Sequence, residues 1–101
     1  MSQPDYTNEG QQRILRLLNV LAGHEVNGLS PTQIAQEQGC SASLVTRDLA
    51  NLKTAGYAEQ VPDTGMWRLA PPLVQISIKH ATALARAQSR LDEVQQRFSR
   101  S

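Results

Sequence analysis

The sequence predicts a mainly α fold with one small β-hairpin and a long C-terminal helix. Three observations predict it. Apolar residues recur at helical spacing from about Glu9 to Gly23 and again from Pro31 to Gly56. The turn-forming run Pro62-Asp63-Thr64-Gly65 separates two short extended segments. After Pro71-Pro72 the composition becomes helical and stays so to about residue 99.

The first helix rests on Ile14, Leu17, Leu18 and Leu21, which fall at i, i+3, i+4 and i+7. Gly23 is placed to stop it. The segment from His24 to Leu29 contains Asn27-Gly28 and reads as a turn or a very short strand. Ser30 then offers an N-cap, Pro31 a first helical position and Gln33 the reciprocal partner of a capping box. This second helix runs to about Gln38, where Gly39 supplies the left-handed residue that a helix end favours. A third helix spans about 41–55, capped by Ser41 or Ser43 and closed by Gly56. Its apolar stripe is Val45, Leu49 and Leu52, and Asp48, Asn51 and Lys53 are expected off it. The hairpin strands are 57–61 and 66–69, with Trp67 and Leu69 on a core-facing side.

Composition bounds the function. The 101 residues are 40% hydrophobic and 19% charged, an ordinary globular balance with room for one core and an appendage. Cys40 is the single cysteine, so an internal disulfide is impossible, and no Cys/His cluster suggests a metal. It is expected to be a small core residue. Paired carboxylates, a nucleophile with a base, and a glycine-rich phosphate loop are all lacking, so neither an enzyme nor a cofactor is expected. His24 and His80 stand without supporting ligands. No run is apolar enough to span a bilayer, and the polar N-terminus lacks a secretory signal, so the expected location is cytoplasmic.

The informative constellation is the second helix, the turn and the third helix. Ala35, Gly39 and Val45 occupy positions 5, 9 and 15 of a unit that starts at Pro31. A small residue permits close helix approach, glycine turns the chain, and a branched apolar residue packs back. Followed by a hairpin, this order is that of a winged helix-turn-helix. The stretch LSPTQIAQEQGCSASLVTRDLANLKTAGYAEQVPDTGMWRLAP, residues 29–71, resembles the N-terminal DNA-binding domain of IclR-type bacterial regulators. The likeness lies in Leu29-Ser30, Ile34-Ala35, Ser43 with Val45 and Arg47, Leu49, Leu52, Gly56-Tyr57, the wing 62–65 and Arg68-Leu69. Members of that family carry an effector-binding domain after the wing. Only some 30 residues follow here, so a stand-alone domain without a small-molecule effector is expected. Ala42 and Met66 stand where the family often has basic residues.

The resemblance implies a sequence-specific transcription regulator that binds double-stranded DNA. Residues 1–8 form a flexible arm, 9–71 the DNA-binding domain, and 72–101 a helix that mediates dimerisation. The recognition helix, about 41–55, enters the major groove, and the wing 62–66 lies near the backbone. Arg47 is the leading base-contact residue, because a guanidinium pairs bidentately with guanine; the alternative is an ion pair with Asp48 or another carboxylate. Ser41 and Ser43 either contact DNA or merely cap, and Thr46 shares the exposed side with Arg47. Leu44 either touches a thymine methyl group or buries against the second helix. Thr32 and Gln33 sit at a helix start that favours phosphate, though capping also explains them. Arg68 reaches a phosphate or pairs with Glu59 across the hairpin.

In the last helix Leu84, Leu91 and Phe98 recur every seven residues, with Ala87 and Val94 three after the first two. That is a narrow heptad seam. Lys79, Arg86, Arg90, Arg97 and Arg100 are assigned to the outer face. A helix of about 25 residues, about 38 Å, is too long to bury its seam on so small a body, so a second subunit is the expected cover. A dimer also answers the formal charge of only +1, because linked binding at two half-sites raises affinity. The competing reading is a winged-helix protein-interaction module without specific DNA binding.

Overall fold

The computed structural model describes residues 4–99. Arg100, assigned above to the outer face, lies outside them, as do residues 1–3 of the arm. The chain forms two compact units, one ending at Ala70 and one beginning at Pro71.

The first unit holds α1 (Glu9–Leu21), α2 (Pro31–Gln38), α3 (Ala42–Ala55), β1 (Ala58–Gln60) and β2 (Trp67–Leu69) in that order. Each helix start is fixed by a side-chain cap. The Asn8 carboxamide oxygen accepts from the Gln11 amide at 3.0 Å. Ser30 and Gln33 form the full capping box, with bonds of 3.1 and 2.9 Å. At α3 the cap is Ser41, whose hydroxyl accepts from the Leu44 amide at 3.3 Å; Ser43 lies two residues further in, already inside the helix. The α1 helix ends at Leu21 with Ala22 extended, and Gly23 follows at φ +90°. Gly39 takes φ +68°, ψ +36° and turns the chain from α2 into α3.

These turns bring the apolar stripes of the three helices together. Leu17, Leu21, Ile34, Ala35, Val45, Leu49, Leu52 and Ala58 form one buried cluster. Leu29, Cys40, Trp67 and Leu69 pack on its margin, partly buried. Asp48 corrects the expected division of α3 into faces: it is only 3% exposed and lies on the buried side. Its partner is 35 residues upstream, out of reach of any helical-stripe argument. The Arg13 guanidinium donates from Nε at 2.6 Å and from Nη2 at 2.9 Å to the two carboxylate oxygens. A buried charge is tolerable when paired and hydrogen-bonded this way.

The hairpin is antiparallel, with Ala58 opposite Leu69, Glu59 opposite Arg68 and Gln60 opposite Trp67. The strands are shorter than predicted, because Val61 and Met66 already belong to the turn, closed by the Val61 amide to the Met66 carbonyl at 2.7 Å. The wing is tied to the helices by a β-bridge: Leu29 and Trp67 exchange two backbone hydrogen bonds of 2.8 Å. Gly28 makes that approach possible. It has φ +73°, and a Cβ there would stand 2.7 Å from the Trp67 carbonyl oxygen.

The second unit is one helix, α4 (Pro71–Ser99), 29 residues long and without a buried residue. It starts one residue before the expected boundary. Both prolines fall in the first turn, where a missing N–H costs no helical hydrogen bond. Among the described residues no helix is long and apolar enough to cross a membrane.

Candidate nucleic-acid interface

With Val45, Asp48, Leu49 and Leu52 turned inward, α3 presents the opposite side to solvent. Ser43, Thr46, Arg47, Ala50, Asn51 and Thr54 are all exposed. Three of these side chains are held against the helix itself, Thr54 through its hydroxyl to the Ala50 carbonyl at 3.0 Å. Thr46 donates to the Ala42 carbonyl at 2.9 Å, and Asn51 donates to the Arg47 carbonyl at 2.9 Å. The Thr46 hydroxyl therefore keeps its lone pairs for an incoming donor. Ser41 and Ser43 hydroxyls lie 3.2 Å apart, so Ser41 caps while Ser43 projects beyond it.

Arg47 differs from these neighbours. Its side chain has no hydrogen bond or ion pair among the described residues. The carboxylate next to it in sequence does not compete, because Asp48 is engaged by Arg13. Arg13 is held charged more firmly than an ordinary arginine, chiefly by that hydrogen bond to Asp48. The clamp thus does two things: it fastens α1 to α3, and it removes a negative charge from beside the exposed guanidinium. The sequence reading missed Arg13. The only local signal was a charged residue one position from the apolar stripe of α1.

Leu44 is half-buried and so divided between the two roles foreseen for it. It shares one side of α3 with Arg47 and Asn51, at i, i+3 and i+7. Facing them are Asn8, Gln11 and Arg13 at the start of α1, and an open groove of about 340 Å³ lies between. The sequence reading placed no functional residue at the start of α1; the helix crossing that makes this groove is a tertiary feature.

The remaining expected contacts are placed as follows. Thr32 is exposed at the start of α2. Gln33 has its carbonyl oxygen committed to the Ser30 amide, leaving its amide hydrogens as donors. Arg68 takes the protein partner rather than standing free: its Nε donates to Glu59 at 3.0 Å across the hairpin. It is half-buried, and a Nη1 donates weakly to the Glu25 carbonyl at 3.5 Å. In the wing, residues 62–65 are exposed, with Gly65 at φ +73°. Met66 is half-buried. A larger groove of about 690 Å³ lies elsewhere, between the end of α1 and α2, lined by Asn19, His24, Gln33, Gln36 and Glu37. It is open and lined mostly by exposed polar side chains.

The order of elements, the tight turn at Gly39 and the tied wing make a winged helix-turn-helix, and residues 12–62 match the model of the IclR helix-turn-helix domain. The chain belongs to that family. IclR helix-turn-helix domains are DNA-binding domains of transcription regulators. Solved structures of IclR-family regulators share the fold. The protein from Brucella abortus superposes with a TM-score of 0.67 at 21% identity, over 81% of this chain and 31% of its own. The regulator from Alicyclobacillus acidocaldarius gives 0.66 at 22% identity, over 75% and 30%. The chain thus spans about 30% of the length of those regulators. The Zalpha domain of ORF112 from Cyprinid herpesvirus 3, described in its binding mode to Z-DNA, matches at 27% identity and a TM-score of 0.53, over 58% of this chain and 93% of its own. No curated protein matches the sequence.

Proposed function

We propose that this IclR-type domain is a sequence-specific DNA-binding transcription regulator that acts as a homodimer. In this reading α3 lies in the major groove with Arg47 and Ser43 toward base edges. Thr46 and Leu44 flank them, and the wing 62–66 runs near the backbone. Thr32 and the amide of Gln33, at the start of α2, face phosphate. Arg68, bonded through Nε to Glu59, keeps a guanidinium nitrogen for a phosphate beside the wing.

The observation that carries the reading is Arg47. A guanidinium exposed on the outer side of α3 and unpaired among the described residues, beside a carboxylate already engaged by Arg13, suits an incoming acceptor. An arginine with only a structural role would be expected to pair with a carboxylate of its own chain.

The dimer rests on α4. It exposes Leu84 and Leu91 at 59% each and Val94 at 47%, on a helix with no buried residue. Isolated helices are marginal in water, and a heptad seam is stabilised by a partner.

Selection of bound sequences from a random duplex library, at two salt concentrations, tests the proposal. An inverted-repeat motif whose binding weakens with salt supports a dimeric reader. Enrichment of alternating sequences that adopt the left-handed duplex would instead align the chain with the herpesvirus Zalpha domain. Folded protein without enrichment at low salt would refute DNA reading and favour a protein-interaction module.

A further inference from the structure

The two flanks of the α4 seam differ in chemistry. The seam is Leu84, Ala87, Leu91, Val94 and Phe98. The residues just before its leucines and phenylalanine are Ala83, Arg90 and Arg97. Arg90 and Arg97 therefore border the seam rather than standing on the outer face. The other flank, just after the second seam position, is Ala81, Gln88 and Gln95. One border is cationic and the other uncharged; the carboxylates Asp92 and Glu93 lie away from both. Asp92 is occupied by the Gln88 amide at 3.0 Å.

Helix pairs of opposite orientation bring different flanks together. In a parallel pair each first-flank residue meets the second flank of its partner five residues on. Arg90 then faces Gln95 of the second copy, whose carbonyl accepts from a guanidinium, and Ala83 faces Gln88. No like charges meet. In an antiparallel pair, first flank meets first flank. With Leu84 packed on Val94 of the second copy, Arg90 lies opposite its own equivalent. With Leu91 packed on Val94 instead, Arg90 lies opposite Arg97, twice over. Both registers that keep the seam apolar oppose arginines, and like charges across a seam select against that pairing.

We infer that α4 binds α4 of a second copy in parallel and in register, through the layers Leu84, Ala87, Leu91, Val94 and Phe98, with the arginine border specifying orientation. The inference rests on the α4 dimer proposed above and adds its polarity. It also places residue 80, one heptad before Ala87, against its own equivalent.

Cysteine cross-linking in the full chain tests it. In a Cys40→Ser background, His80→Cys is oxidised alone and in a mixture with Phe98→Cys, and sedimentation equilibrium is run on the unoxidised parent. Parallel pairing sets the two position-80 sulfurs at a core layer, within the about 4.4–6.8 Å Cα separation a disulfide tolerates. The expected result is a covalent homodimer of the His80→Cys chain and no mixed disulfide. In an antiparallel pair the two position-80 residues stand at least about 27 Å apart along the helix. A mixed 80–98 disulfide without the 80–80 one would overturn the orientation and leave the dimer standing. A dimer that forms neither cross-link would likewise overturn the parallel, in-register pairing, since the antiparallel register with Leu91 on Val94 brings neither pair together, whereas a monomeric parent would overturn the inference together with the α4 dimer beneath it.

Discussion

The two units of this chain solve the burial problem differently. The unit up to Ala70 closes on itself: three helices and a hairpin bury Leu17, Leu21, Ile34, Val45 and Leu49 completely. The α4 helix closes on nothing within itself, and its 29 residues include no buried one. A core of Leu, Ile and Val at complementary stripes specifies its own fold. In the dimer proposed above, the long helix with its heptad seam is completed by a second chain. The first unit should therefore behave as a unimolecular folding problem, and α4 as a concentration-dependent one.

Two core and seam substitutions sharpen that contrast most. Leu49→Ala should destabilise the body by about 2–5 kcal/mol through lost burial and a residual cavity, read as a lowered urea midpoint at every protein concentration. Leu91→Asp should leave the body's own transition in place but abolish the dependence of helicity and sedimentation on concentration. If Leu91→Asp unfolded the body as Leu49→Ala does, the division into two regimes would fail.

The clamp comes next. Asp48→Ala leaves a part-exposed Arg13 guanidinium without its partner and should lower the urea midpoint. Arg13→Ala strands the more deeply buried carboxylate and should cost more, about 3 kcal/mol. A double-mutant cycle giving a coupling energy near zero would show that the pair does not join α1 to α3. Arg13 itself introduces no pH dependence near neutrality. A raised arginine value contributes stability that is lost only as pH climbs through that value.

Gly28→Ala probes the tie between wing and helices. A Cβ at φ +73° would stand 2.7 Å from the Trp67 carbonyl oxygen, so a loss of about 2 kcal/mol is expected, with faster amide exchange at Leu29 and Trp67. Gly39→Ala is the milder control: the same left-handed φ, but nothing within 4 Å of the added carbon.

The smallest effect belongs to Glu25. Its carboxylate accepts from the Gly23 amide at 3.0 Å, and that bond holds it below 4.5. A lowered acid contributes stability that is present above the unfolded value and lost as pH falls through the folded one. Glu25→Gln should therefore flatten stability slightly between neutral pH and pH below 4.5, measured by denaturation at both.

Much of this fold was legible because local rules and the global fold agree. Ser30, Pro31 and Gln33 announced α2, Gly39 and Gly56 announced the helix ends, and Pro62 to Gly65 announced the wing turn. The same rules misassigned Asp48, since a charged residue next to an apolar stripe normally faces water. Its burial depends on Arg13, on another helix. The bridge between Leu29 and Trp67, and the groove between α1 and α3, were invisible for the same reason: they arise from helix crossing, not from sequence spacing. At the candidate site the outward residues of α3 followed from the stripe. The sequence left two partners open for Arg68; the hairpin register, with Glu59 directly opposite, makes the ion pair within the chain, and the phosphate contact stands as a proposal.

The central claim is that the outer face of α3 reads DNA while its inner face holds the fold. The most direct measurement is a titration of the selected duplex with the parent and with Arg47→Ala, over a salt series, alongside urea unfolding of both. The account predicts unfolding midpoints within about 0.5 kcal/mol of each other and binding weakened by about 10- to 100-fold, the worth of a lost bidentate base contact. Equal binding of the two proteins, at equal stability, would contradict it.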